Sequence, residues 1–378
     1  MKKNILFIVY TFSYGGGAEK LLASIANNLD SEKYNIDIIE FRNMGETEET
    51  HHSINKNSII KTNNKLINSI IHNIARNFPR LIRGCYIHKK YDLEIAFNYE
   101  IPTYIVSKSK SKKILWIHGP IDDLDYKKET KFTQKIKLYI ANNKHKKSFE
   151  NCDKVITISN LTKQSILKLY PNLKKNIVIL HNALNLQKID ILSNEYEVLN
   201  EDNKFKIISV GRLDSNKNQI LLIEAAKLLA KEYSNFEISF VGKGEMEDYL
   251  KNKVKEYGLE DKIKFRGYIE NPFPLIKNSD VLCLTSILEG FGNVILEAMR
   301  LKTAVISTEC GLASEIFKMY SCGLISEYNA EDLKQKLLYL INNKEEKQTL
   351  EDNAFKVSTK FSLETYVKEI ESLIDSMC

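Results

Sequence analysis

Residues 205–242 read FKIISVGRLDSNKNQILLIEAAKLLAKEYSNFEISFVG. FKIISVG (205–211) is a short apolar run closed by glycine, the pattern of a strand buried on both faces of a sheet. Residues 217–232 carry apolar side chains at helical spacing, and FEISFVG (236–242) is a second apolar run that again ends in glycine. Strand, helix and strand in succession predict a parallel pair joined by a crossover helix.

The alternation continues downstream with helix 246–257, strand 262–266, a short helix 273–278, strand 280–284, helix 293–301, strand 303–307 and helices 312–318 and 330–343. Upstream, strands fit 4–10, 35–41, 93–97, 113–117, 154–158 and 177–180, and helices fit 18–29 and 160–169, with Ser159 or Asn160 as N-cap of the latter. The polar stretch 43–66 reads as an exposed loop. The fold class is therefore α/β, with two doubly wound, Rossmann-like domains over residues 1–185 and 186–361 and a junction within 182–204.

Charge divides the same way. The chain of 378 residues carries net +6, but residues 1–185 hold 30 Lys+Arg against 17 Asp+Glu and residues 186–378 hold 25 against 32. A basic half and an acidic half point to domains with different partners. No apolar run reaches the length of about 18 residues that a membrane-spanning helix needs. Lys2 and Lys3 before a short apolar run resemble a signal peptide only superficially, and the run reads as the first strand. The six cysteines have no CxxC pair or framework spacing, as expected of reduced thiols.

In doubly wound sheets ligands bind beyond the carboxyl ends of the strands. Unusual residues gather there: Gly15-Gly16-Gly17 after the first strand, His118 after LWI, Gly211-Arg212, Gly242-Lys243-Gly244, and Glu289-Gly290-Phe291-Gly292. The placement predicts one cleft between two domains. The three early glycines suit either a tight turn or an anion at a helix N-terminus. Glu289 and Glu297 flank GFG at the start of a helix, where amides can meet phosphate or sugar hydroxyls and a carboxylate can accept from a ribose diol. Arg212 and Lys217 add cations suited to a diphosphate leaving group.

The motifs GGGAEK (15–20), WIHG (116–119), ITIS (156–159), HNALN (181–185), VGRLDSNKN (210–218), FVGKGE (240–245), FRGYIEN (265–271), EGFGNVILEAM (289–299) and CGLASEI (310–316) run nearly the length of the chain. In this order they resemble those of the family 4 (GT4) retaining glycosyltransferases, or glycosyl transferases group 1, which have the two-Rossmann-domain GT-B architecture. The resemblance implies that Gly16 and Gly17 sit against the donor's phosphate and sugar, and that His118 contacts the transferred sugar. It implies that Arg212 and Lys217 hold the diphosphate, with Asn182, Gly211 and Gly242 on the donor side. Gly267, Tyr268 and Ile269 would bind the base through backbone. Glu289 would touch the sugar beside Gly290, Phe291, Gly292 and Asn293, and Glu297 would bind the ribose. Residues 362–378 would form a helix returning to the N-terminal domain. Two departures stand out: His181 and Ala183 replace the usual Pro and Gly, and Leu312 replaces a customary second glycine.

The expected activity is a hexosyl transfer with retention from a nucleotide sugar, UDP preferred over GDP, to a lipid-linked or saccharide acceptor in bacterial polysaccharide, capsule, lipopolysaccharide or glycolipid assembly. No cofactor, metal or nucleic-acid partner is expected, and Asp123-Leu124-Asp125 reads as loop acids rather than a DxD metal motif. Residues 127–147, with Lys127, Lys128, Lys135, Lys137, Lys144, Lys146 and Lys147 around Phe132, Ile136, Tyr139 and Ile140, suit either a solvated helix or a peripheral contact with anionic membrane. The expected location is cytoplasmic, peripheral at the inner face of the plasma membrane. Rival readings are a sugar-nucleotide epimerase on the same architecture, a non-catalytic lectin-like relative, and an NAD-dependent oxidoreductase with Glu40 as its ribose acid; the last lacks the third fingerprint glycine.

Overall fold

The computed structural model describes residues 2–13, 17–45, 54–121, 132–198 and 203–378, with backbone alone for 132–135, 137, 138 and 175. The chain divides into two compact units, Met1–Asn182 with Leu363–Cys378, and Ala183–Ser362.

The first unit runs β1 (Lys3–Val9), α1 (Gly17–Asn28), β2 (Tyr34–Arg42), β3 (Asn55–Ile60), α2 (Lys65–Asn77), α3 (Pro79–Tyr86), β4 (Leu93–Ala96), α4 (Ile101–Val106), β5 (Lys112–Ile117), α5 (Phe132–Glu150), β6 (Lys154–Thr157), α6 (Asn160–Leu169) and β7 (Ile177–Ile179). Its seven parallel strands are ordered β3-β2-β1-β4-β5-β6-β7. Ile5 to Val9 are wholly buried, as a central strand covered on both faces requires. Ser159 caps α6 by accepting from the Thr162 amide at 3.2 Å.

The second unit runs α7 (Leu186–Leu192), β8 (Phe205–Val210), α8 (Ile220–Leu229), β9 (Phe236–Val241), α9 (Glu247–Glu256), β10 (Ile263–Gly267), α10 (Phe273–Lys277), β11 (Val281–Leu284), α11 (Asn293–Arg300), β12 (Ala304–Thr308), α12 (Ala313–Tyr320), β13 (Leu324–Ser326), α13 (Ala330–Asn342) and α14 (Lys344–Ser358). Its parallel sheet is ordered β10-β9-β8-β11-β12-β13. The chain then returns to the first unit as α15 (Leu363–Met377). There Asp375 accepts from Lys3 Nζ and from the Tyr34 hydroxyl, both at 2.8 Å, and Glu371 accepts from the Asp30 amide at 2.9 Å.

The exposed loop expected at 43–66 is corrected by β3. This is an edge strand whose first three residues are exposed, so no apolar alternation marks it. Polar bonds to its neighbour hold it: Asn55 donates to Asp37 at 2.9 Å and Ser58 to Glu40 at 2.6 Å. Glu40 is also filled from the turn after β1, accepting from the Phe12 amide at 2.9 Å and the Ser13 hydroxyl at 3.1 Å. A carboxylate so occupied is a structural brace, which removes the ribose acid that the oxidoreductase reading needed.

On α3, exposed Gly84 has nothing within 4 Å of where a Cβ would stand. Gly84→Ala is expected to raise stability by about 0.5–1 kcal/mol, read as a higher urea midpoint at unchanged slope.

Candidate active site

In the second unit the strand order turns at β8. β9 and β10 lie to one side and β11 to β13 to the other, so the carboxyl ends of β8 and β11 flank the switch point. Lys217 follows β8 and Glu289 follows β11, and the Lys217 ammonium pairs with Glu289 Oε1. Their side chains are only 19% and 13% exposed. The Ser286 hydroxyl donates to the same carboxylate oxygen at 2.7 Å, and Thr308 Oγ1 donates to the Ser286 carbonyl at 2.6 Å. Asn216 ties the two loops together, donating to the Leu288 carbonyl at 2.8 Å and accepting from its amide at 3.2 Å. Arg212 differs: its guanidinium is 74% exposed and touches Asp214 at 3.1 Å. A solvent-exposed cation thus follows the same strand as a buried one.

Backbone packing draws the strand ends together. The Gly242 amide donates to the Gly267 carbonyl at 2.7 Å, and the Leu213 amide donates to the Lys243 carbonyl at 3.0 Å. A Cβ on Gly242 would stand 1.9 Å from the Gly211 carbonyl oxygen, so this crossing admits only glycine. Gly211 lies under the Lys217 stem, Gly267 has φ +69°, Tyr268 is exposed and Ile269 half-buried. On the far side, Gly290 leads to buried Phe291, whose carbonyl accepts from the Leu312 amide at 2.8 Å. Gly292, at φ +85°, turns the chain into α11 with no side chain capping it, so the first-turn amides from Asn293 onward carry the positive end of the helix dipole. Glu297 lies one turn further, half-buried on α11. Burial raises the neighbouring Cys310 thiol, with the Glu289 charge adding to the shift, so the thiol stays protonated beside the pair.

In the first unit His118 follows β5. Its ring lies 4.4 Å from Phe97 and stacks on Trp116 at 6.0 Å. Both ring nitrogens are buried and, among the described residues, make no well-aligned hydrogen bond, only a weaker approach to the Phe97 backbone. Burial pushes this imidazole down to about 3, so it is neutral through the physiological range. Gly17 opens α1 with Glu19 in the first turn, whereas Gly16 lies outside the described residues. Asn182 is buried at the end of the first unit's main segment, and His181 Nδ1 lies 3.0 Å from the Ile158 carbonyl oxygen.

The basic segment resolves unevenly. Lys127, Lys128 and the Asp123-Leu124-Asp125 triplet lie outside the described residues, and of Lys135 and Lys137 only the backbone is described. Lys144 donates to the Arg76 carbonyl at 2.7 Å and to Asn77 at 2.8 Å at the end of α2, Lys146 lies 3.9 Å from Glu150, and Lys147 is exposed. Sequence reasoning missed Ser286, Thr308, Asn216 and Gly311. Asn216 sits within GRLDSNKNQ and could have been found as a loop tie, but the two hydroxyl residues carry no pattern.

The family models for Glycosyltransferase Family 4 and Glycosyl transferases group 1 match residues 15–188 and 193–357. An uncharacterized glycosyltransferase of Methanocaldococcus jannaschii is 29% identical over 56% of this chain and 52% of its own length. The Campylobacter jejuni GalNAc-alpha-(1->4)-GalNAc-alpha-(1->3)-diNAcBac-PP-undecaprenol alpha-1,4-N-acetyl-D-galactosaminyltransferase is 25% identical over 97% of this chain and 96% of that one. The Anabaena protein HepE, solved in complex with UDP-glucose, superposes with a TM-score of 0.73 over 99% of this chain and 100% of its own, at 19% identity, and so shares the fold.

Gly242→Ala is expected to lower stability by more than about 2 kcal/mol, because the clash is with backbone that cannot rotate away; urea unfolding beside Gly84→Ala checks it. His118 supplies a pH test. Its folded value lies below the ordinary one near 6.5, so the unfolded chain takes up the proton first and stability falls as pH drops from about 6.5 toward 3. His118→Asn should lose less stability than the parent between neutral pH and pH ~5, the parent's remaining fall including that of buried His145.

Proposed function

The chain belongs to the family 4 glycosyltransferases, and on that basis we propose that it moves a hexosyl group, with retention, from a UDP-sugar to a lipid-linked saccharide acceptor in bacterial surface polysaccharide or glycolipid assembly. The observation that carries the donor half is the Lys217–Glu289 pair at the switch point, with the exposed Arg212 after the same strand. As the bond from the anomeric carbon to the diphosphate oxygen breaks, negative charge grows on the leaving group. An ammonium and a guanidinium aimed there stabilise that charge. The acceptor oxygen bonds to the anomeric carbon on the same face, and its proton passes to the departing phosphate oxygen, so no protein nucleophile is required. Glu289 would accept from a sugar hydroxyl, and Glu297 from the ribose diol. Neutral His118 would hydrogen-bond a sugar hydroxyl; an imidazole held so low is a weak base at neutral pH.

A lipid-linked acceptor is supported by the name of the Campylobacter relative, whose acceptor is joined to undecaprenol through a diphosphate. Among the described residues no helix is long and apolar enough to cross a membrane. A peripheral place at the inner face of the plasma membrane would therefore bring enzyme and acceptor together. Neither the reaction as written nor the site residues call for a metal or a cofactor.

Saturating UDP is expected to raise the unfolding temperature where GDP and NAD do not, since ligand at about 100 times its dissociation constant adds roughly 2.7 kcal/mol to the folded state. Lys217→Ala should lower the unfolding temperature by stranding the Glu289 carboxylate, and the variant that remains folded should lose the UDP shift and cut kcat/KM for transfer by about 10²–10³-fold. Unchanged transfer in the folded variant would overturn the assignment. Retention is read from the anomeric configuration of the product by NMR.

A further inference from the structure

An imidazole that is to meet a sugar hydroxyl needs a fixed direction, and a hydrogen bond to its second nitrogen ordinarily supplies one. His118 is held otherwise. Its plane lies within 9° of the Trp116 ring at 6.0 Å, and Phe97 closes on it at 4.4 Å. The indole is held in the same manner. Trp116 is wholly buried, and its Nε1 has no hydrogen-bond partner among the described residues. Phe97 packs on the indole at 4.8 Å and is itself pinned through its amide, which donates to the Ile8 carbonyl at 2.8 Å. Rings rather than polar bonds therefore set where the imidazole points.

Another wall of this stack comes from the far end of the chain. Tyr366 on α15 meets the Trp116 ring at 6.3 Å with 61° between the planes. Tyr366 is 3% exposed, and its buried hydroxyl has no partner among the described residues. A buried hydroxyl without a partner costs stability, so what this residue contributes is its ring. The helix that carries it is placed independently, by the bonds of Asp375 and Glu371 to Lys3, Tyr34 and the Asp30 amide. Tyr366, Trp116 and His118 thus form a run of rings from α15 to the end of β5. In a close-packed interior the loss of one wall is felt as displacement of its neighbours.

We propose that Tyr366 is a positioning residue for the first unit's strand-end site: through the Trp116 ring, α15 fixes the direction of the His118 imidazole. Tyr366 itself touches no substrate. The use made of that direction, a hydrogen bond to a sugar hydroxyl, rests on the transferase reading, whereas the ring contacts do not. A recognition group must be held within about 0.5 Å of its productive place, and here the last of its supports lies beyond residue 362.

The test uses the full chain with ring-labelled histidine, without donor or acceptor. The ring current of a stacked indole moves the carbon-bound protons of an imidazole upfield, so the His118 resonances, assigned with His118→Asn, read the stack directly. Tyr366→Phe deletes only the unpartnered hydroxyl; it should keep those resonances and unfold at the parental temperature or above. Tyr366→Leu removes the ring. It should move the His118 resonances toward those of exposed His88 and raise the rate of His118 acylation by diethyl pyrocarbonate at least about tenfold, measured by peptide mass against His88. Ile374→Ala, at a buried position about two turns further along α15, should cost stability without either change. Unchanged resonances and rate in folded Tyr366→Leu would overturn the proposal. Equal changes in Ile374→Ala would overturn it too, by assigning the effect to a loosened helix. If Tyr366→Leu does not fold, Tyr366→Met fills more of the space and carries the same expectation. The UDP shift should persist in every folded variant, since Lys217 lies in the second unit. A parent chain without that shift would refute the transferase reading and leave the ring contacts standing.

Discussion

The second unit is organised around one contact, the ammonium of Lys217 against the carboxylate of Glu289 where the strand order turns. Two charges so largely withdrawn from water are tolerable only as a pair with further hydrogen bonds, and removing either partner strands the other. The surroundings meet that demand. Ser286 donates to the carboxylate, Thr308 holds the Ser286 carbonyl, and Asn216 locks the loop that carries the lysine to the loop that carries the glutamate. The Gly211–Gly242 crossing brings the neighbouring strand ends within backbone contact, and Gly311 does the same for the 290–292 turn, where a Cβ would stand 2.6 Å from the Phe291 carbonyl oxygen. A pair built this way rests neutral overall.

The first unit uses opposite means. The ring after its fifth strand, His118, sits among Phe97 and Trp116 and is kept uncharged by burial. A neutral imidazole offers one donor and one acceptor in fixed directions, which suits recognition of hydroxyls and makes no demand for a counter-ion. Two acids of this unit are occupied elsewhere. Glu40 braces the turn after β1, and Glu94 receives Arg83. The charge asymmetry of the sequence thus separates a unit with a paired, polar strand-end site from one with an aromatic strand-end site and a basic surface.

The architecture was legible because buried parallel strands announce themselves. Ile5–Val9, Ile207–Ile208 and Val281–Leu284 are apolar throughout and buried, and the glycines that end several strands mark the turns. The edge strand β3 was not legible, since its residues are held by side-chain bonds to β2 rather than by burial. Nor were α2 and α3 read, although Leu66, Ile67, Ile70, Ile71 and Ile74 recur at helical spacing along one stripe, part of which stays exposed. At the site, charged and glycine residues could be nominated from their place after strands. The hydroxyls under Glu289 and the depth of His118 depend on contacts between segments far apart in sequence, which spacing along one chain does not encode.

The first unit leaves off at Asn182 and resumes only at Leu363. Until α15 is synthesised, the surface that it covers stands open, including the face of Trp116 that meets Tyr366 at 6.3 Å. The second unit is continuous and, on a ribosome, can close its sheet while the first still waits for its last helix. The first unit is therefore closed by contacts that span nearly the whole of the sequence, which raises its contact order above that of the continuous second unit.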